Sequence, residues 1–134
     1  MEEKITQYFA TKNEVAAVYL FGSFASEKHR PTSDVDLAIL FLPEYLPSAD
    51  HLCRQYLTDL GRLLRKDIHP NVMNRAGEVL LKQILQKGKQ LVVKNPAYVH
   101  EFNMIAISRI ADFGFYLERM QTGLKKNLQE KIHG

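Results

Sequence analysis

The sequence predicts a small α/β (α+β) domain, with a mixed sheet flanked by helices. Three observations predict it. Two buried-strand candidates stand close together: the continuous apolar run 15–21, and 34–41, which becomes wholly apolar after two opening carboxylates. Segments with helical spacing of apolar residues precede, separate and follow the strand candidates. Glycines, prolines and short polar stretches punctuate the transitions. That alternation suits a sheet covered by helices.

Residues 2–11 have Ile5, Tyr8 and Phe9 on one helical face. Residues 15–21, Val-Ala-Ala-Val-Tyr-Leu-Phe, read as a strand buried on both faces and stop at Gly22. Residues 24–33 are polar and end in Pro31-Thr32-Ser33, a loop signature. The second buried strand, 34–41, opens with two carboxylates and then becomes wholly apolar. Pro43 and Pro47 bound a loop, and Ser48 is placed to cap a helix over about 49–65 in which Leu52, Tyr56, Leu57, Leu60, Leu63 and Leu64 keep helical spacing. Residues 67–73 form a third strand, which Pro70 weakens or places at an edge. A helix over 76–87 closes at Gly88 as its C′ residue, and Gln90–Val93 adds a short strand. From about 97 to 131 the pattern is helical again, with Val99, Phe102, Ala106, Ile110, Phe113, Leu117 and Met120 at steps of three and four.

The 134 residues, with no repeat, linker or low-complexity segment, read as one domain over 1–134 that includes this C-terminal helical segment. A single cysteine, Cys53, excludes an internal disulfide or a cysteine-based zinc site and fits a reducing cytoplasm. No apolar run approaches the ~20 residues of a membrane span, and Met1-Glu2-Glu3-Lys4 is unlike a signal peptide. A net charge of +3 spread along the chain does not point to nucleic-acid binding as the main role.

The chemistry concentrates between Gly22 and Asp36. Side chains alternate along a strand, so Asp34 and Asp36 share a face, about 6.6 Å apart. Such a pair can converge on one or two hard cations, and magnesium commonly combines one or two carboxylates with substrate phosphates. Gly22 permits close backbone approach to a ligand, free N–H groups after the turn can cradle phosphate oxygens, and the Ser23 hydroxyl can donate to one. Ser33 and Thr32 add oxygens beside Asp34. No Walker lysine motif and no Gly-x-Gly-x-x-Gly fingerprint is present.

Gly22-Ser23, ten intervening residues, then Asp34-Val35-Asp36 resembles the signature of the polymerase beta-type nucleotidyltransferases. More narrowly, the chain resembles the minimal nucleotidyltransferases, the MntA-type antitoxins paired with HEPN toxins. Its size, element order, C-terminal helix and the stretch Leu80 to Val92 are similar as well. The resemblance implies the polymerase beta-like fold and an antitoxin of a type VII-like pair. It implies magnesium-dependent transfer of AMP from the co-substrate ATP to a tyrosine hydroxyl of the cognate HEPN ribonuclease, in a hetero-oligomeric complex. By the same resemblance Gly22, Ser23 and Ser33 would hold nucleotide phosphates, and Asp34 and Asp36 would hold one or two magnesium ions.

The family usually supplies a third carboxylate from the next strand. Asp67 is the expected third catalytic and metal-binding residue; His69 is the alternative, because an alignment through Met73-Asn74 puts the acidic position there. A third reading has neither residue act, leaving nucleotide or toxin binding without efficient transfer. Two other functions compete: an antitoxin that acts by binding alone, and a small-molecule nucleotidyltransferase. The second lacks an evident further domain to build its substrate pocket. Cys53 reads as a small core residue. Lys28, His29 and Arg30 lie in the loop beside the expected phosphates, Tyr45 could stack on adenine, and the apolar surface of the last helix exceeds what so small a chain can cover, which suggests partner contact.

Overall fold

The computed structural model describes residues 1–22 and 34–133, with side chains through residue 123. Its elements are α1 (Glu2–Ala10), β1 (Val15–Phe21), β2 (Val35–Phe41), α2 (Ala49–Leu64), β3 (Ile68–Val72), α3 (Glu78–Lys87), β4 (Lys89–Val93) and α4 (Pro96–His133). Among the described residues the sheet has four strands in the order β3-β2-β1-β4. β1 is antiparallel to both β2 and β4, while β2 and β3 run parallel, so the sheet is mixed.

The two apolar runs become the central strands because they alone can be buried on both faces. Every residue of β1 is buried, and in β2 only Asp36 is partly exposed. On one face Val18, Leu20, Val35, Leu37, Ile39 and Phe41 pack against Ile5 and Phe9 of α1 and Cys53, Tyr56 and Leu60 of α2. The spacing of these helical residues, four in α1 and three and four in α2, is the stripe that faces a sheet. Tyr56 is fully buried, stacks on Phe41 and meets Phe9 edge-on. Its hydroxyl donates to the Glu14 carboxylate, as a buried phenol requires a partner. On the opposite face Ala17, Tyr19, Phe21, Ala38 and Leu40 meet Leu81 and Ile84 of α3 and Val99 and Ala106 of α4.

Asn74 closes the far end of β2. Its Oδ1 accepts from the Phe41 N–H at 2.9 Å, and its Nδ2 donates to the Phe41 carbonyl at 2.9 Å. One side-chain amide thus does the work of a paired strand residue.

α4 has two halves. Tyr98, Val99, Phe102, Ala106 and Ile110 cover the sheet and α3. Beyond them the helix projects, for a total length of about 57 Å at 1.5 Å per residue. Phe115, Tyr116, Leu117 and Met120 are exposed. No helix among the described residues is long and apolar enough to cross a membrane.

Three local expectations change. The proline-bounded segment after β2 is a 3-10 helix over Pro43–Ser48, because Pro43 stands at its first turn, where no N–H is needed. Ser48 makes no side-chain cap to α2. Gly88 ends α3 in an extended conformation (φ −73°, ψ 154°), and a Cβ there would collide with the Ile84 carbonyl, so close approach rather than left-handed backbone selects glycine.

Candidate active site

The antiparallel register pairs Phe21 with Asp36, which brings the end of β1 against the start of β2. Gly22 follows at φ +72°, a left-handed conformation that only glycine adopts without strain. A Cβ on Gly22 would overlap the Asp36 carboxylate. The glycine therefore has two uses: it turns the chain, and it leaves room for the aspartate.

Asp34 precedes β2 and is exposed, Val35 is buried, and Asp36 is partly exposed, so the two carboxylates lie on the same side of the strand. Burial pushes the Asp36 carboxyl above the usual carboxylate range; the charge of His69 opposes this and that of Asp34 adds to it. Two neighbouring acids, one of them partly desolvated, form an arrangement that a bound cation relieves.

β3 supplies the third side. The parallel pairing sets His69 beside Asp36. The Val35 N–H donates to the Asp67 carbonyl at 2.8 Å, which anchors the register one residue in from Asp34. His69 Nε2 then stands 3.1 Å from Asp34 Oδ2. Asn71 steadies the strand where Pro70 has no N–H, donating from Nδ2 to the Leu37 and His69 carbonyls. Asp67 is exposed and lines a groove of about 440 Å³ between α2 and β3, together with Gly61, Arg62, Ile68 and His69.

Of the residues singled out from the sequence, Gly22, Asp34, Asp36 and His69 gather at one end of the sheet, with Asp67 at the mouth of the adjacent groove. Ser23, Lys28, His29, Arg30, Thr32 and Ser33 lie outside the described residues. Cys53 is buried in the core, where burial pushes its thiol up to about 11. Tyr45 sits exposed on the 3-10 turn after β2. Sequence reasoning passed over Asn71 and the contact between His69 and Asp34. Their one signal is parity: 69 and 71 alternate with buried Ile68, as 34 and 36 alternate with buried Val35.

The donor set suits a hard cation. Among the described residues no three Asp, Glu, His or Cys side chains form a cage that could hold a metal alone. The two carboxylate groups of Asp34 and Asp36 match instead the mode in which substrate phosphates complete the coordination of magnesium.

Residues 3–97, well over half of the chain, match the family described as "Polymerase beta, Nucleotidyltransferase". The comparison with curated proteins returned no match. Among solved structures, the chain is similar to one of a toxin–antitoxin with AMP-PNP, at 20% identity and TM-score 0.67, covering 96% of this chain and 98% of that one. It is similar to a mutant MntA–HpeT toxin–antitoxin at 18% identity and TM-score 0.67, over 96% and 98% of the two chains. It is also similar to a chain from a tri-AMPylated Shewanella oneidensis HEPN toxin in complex with MNT antitoxin, at 21% identity and TM-score 0.62, over 96% and 95%. These likenesses carry the fold, and the match over residues 3–97 places this chain in the polymerase beta nucleotidyltransferase family.

Proposed function

We propose that the protein is an antitoxin that transfers AMP from ATP to a tyrosine hydroxyl of a cognate HEPN toxin and thereby silences it. The observation that carries this reading is the Asp34 and Asp36 pair, with Asp36 beside Gly22, in a chain whose residues 3–97 match the nucleotidyltransferase family. The reading is supported by the likeness to a chain of a complex in which a tri-AMPylated HEPN toxin is bound to an MNT antitoxin, and to a toxin–antitoxin solved with AMP-PNP.

In the proposed reaction the tyrosine oxygen bonds to the α-phosphorus while the bond from that phosphorus to the bridging oxygen breaks. Pyrophosphate leaves with the electron pair. Gly22, with Ser23 and Ser33, holds the phosphates, and the glycine keeps bulk away from them. Asp34 and Asp36 would hold magnesium, which supplies positive charge to the α-phosphate and the leaving group. A phenol of pKa near 10 costs about 4 kcal/mol to ionise at pH 7, so its proton needs an acceptor. Asp67, exposed at the groove beside His69, is the carboxylate proposed for that task. The exposed apolar half of α4, with Phe115, Tyr116 and Leu117, is the surface proposed to meet the toxin.

The test is to incubate the protein with its HEPN partner, labelled ATP and magnesium. Label on the partner, lost in Asp34→Asn and Asp36→Asn together with neutralisation of toxicity, supports the reading. If the double variant still neutralises the toxin and no label moves, the protein acts by binding alone.

A further inference from the structure

The contact between His69 and Asp34 has a use that stability does not explain. Both side chains are 53% exposed, and an ion pair so open to water contributes little to folding. Yet the backbone beneath it is held on both sides. Val35 N–H binds the Asp67 carbonyl, and Asn71 Nδ2 binds both the Leu37 and the His69 carbonyls. The imidazole is thus delivered to one place, 3.1 Å from a single oxygen of Asp34.

Asp34 needs such a partner. It stands exposed before β2 begins, whereas Asp36 lies within the strand beside Gly22. An exposed carboxylate on a strand end rotates freely, whereas one held through a single oxygen presents the other in a fixed direction. Carboxylates that ligate metals are commonly hydrogen-bonded in this way by a neighbouring group. No three-residue cage forms among the described residues, and His69 Nε2 is occupied by Asp34.

We propose that His69 is a positioning residue: its Nε2–H holds Asp34 Oδ2, so that Oδ1 faces the cation, and His69 itself does not ligate the metal. The inference rests on the cation site of the proposed function. It assigns to His69 a task different from that of a third ligand, and it leaves the third carboxylate position to Asp67.

Two measurements test it. The first is Mn²⁺ affinity, read from the free-ion electron paramagnetic resonance signal with a non-hydrolysable ATP analogue present. His69→Ala weakens binding about 10- to 100-fold, the usual effect of removing such a partner. His69→Gln, whose amide N–H can reach the same oxygen but is a poor metal ligand, restores affinity close to that of the unaltered protein. If His69→Gln is as weak as His69→Ala, the imidazole is a direct ligand and the proposal fails. If His69→Ala binds as well as the unaltered protein, the contact is idle and the proposal fails too. The second measurement is the ¹⁵N spectrum of the metal-free protein, which needs neither nucleotide nor cation. A proton on His69 Nε2, lost or exchange-broadened in Asp34→Ala, supports the proposal; a bare Nε2 overturns it. Equal Mn²⁺ binding by the unaltered protein and by Asp34→Asn with Asp36→Asn would overturn the cation site itself, a failure the ¹⁵N spectrum keeps separate.

Discussion

The Asp36 carboxylate occupies the space that a side chain at residue 22 would need: a Cβ built on Gly22 would overlap Oδ2 and lie 3.3 Å from Cγ. Gly22→Ala therefore carries two costs, left-handed strain of about 1–2 kcal/mol and displacement of Asp36. The expected outcome is a folded protein with a modestly lowered melting midpoint and AMP transfer reduced at least about 100-fold, the scale of losing one well-placed charge-stabilising group. Calorimetry and a labelled-ATP assay separate the two effects.

Asp36 also opposes the stability of the metal-free fold, since burial, with repulsion from Asp34, outweighs the attraction of His69 for its charge. Asp36→Asn keeps the shape and removes that charge. Metal-free Asp36→Asn should melt no lower than the unaltered protein while transfer is abolished. Parallel thermal melts and transfer assays check both halves of the expectation.

Tyr56 sets an alkaline limit. Burial, then its hydrogen bond to Glu14, pushes its hydroxyl well above the ordinary value of 10.0, and Tyr8 is shifted the same way by burial and Asp59. A raised native pKa gives stability that is fully present below the unfolded value and is lost as the pH climbs above it. Unfolding free energy should hold steady up to about pH 10, then fall by about 1.4 kcal/mol per pH unit from Tyr56 alone. Tyr56→Phe should flatten that decline in urea titrations carried out across the same range.

Asn74 is the test of how β2 ends. Asn74→Ala strands the Phe41 N–H, while the Phe41 carbonyl keeps the Tyr98 hydroxyl at 3.2 Å. One orphaned donor costs about 1–3 kcal/mol. Asn74→Asp keeps an acceptor for that N–H but sets a carboxylate oxygen against the Phe41 carbonyl in place of the Nδ2 donor, so it should lose as much or more, as chemical denaturation would report.

How much of this was legible in the sequence depends on how local the cause is. β1 and β2 were legible because an apolar run of strand length, seven residues in β1 and Leu37–Phe41 in β2, has no stable home but a strand covered on both sides. Pro70 left two readings open, a weakened strand or an edge strand, and the sheet order puts β3 at an edge, where its missing N–H is tolerated. The stripe of α4 was legible as helix, but only the structure shows that it covers the sheet as far as Ile110 and then leaves it. The meeting of Asp36 with His69 was hidden, because it depends on a parallel register set by the whole passage through α2. Gly88 misled because the sequence shows a glycine without showing whether φ or a close approach requires it. At the candidate site the parity of Asp34 and Asp36 was legible; the contact of His69 with Asp34 was not, for the same reason of register.

The most direct test of the central claim compares ATP labelled at the α-phosphate with ATP labelled at the γ-phosphate, each incubated with the protein, its HEPN partner and magnesium. A nucleotidyl-transfer site built on Gly22, Asp34 and Asp36 predicts label on the partner from the α-position alone, with pyrophosphate released, and none with Asp34→Asn or Asp36→Asn. Label from the γ-position, or equal α-label with the two variants, would contradict it.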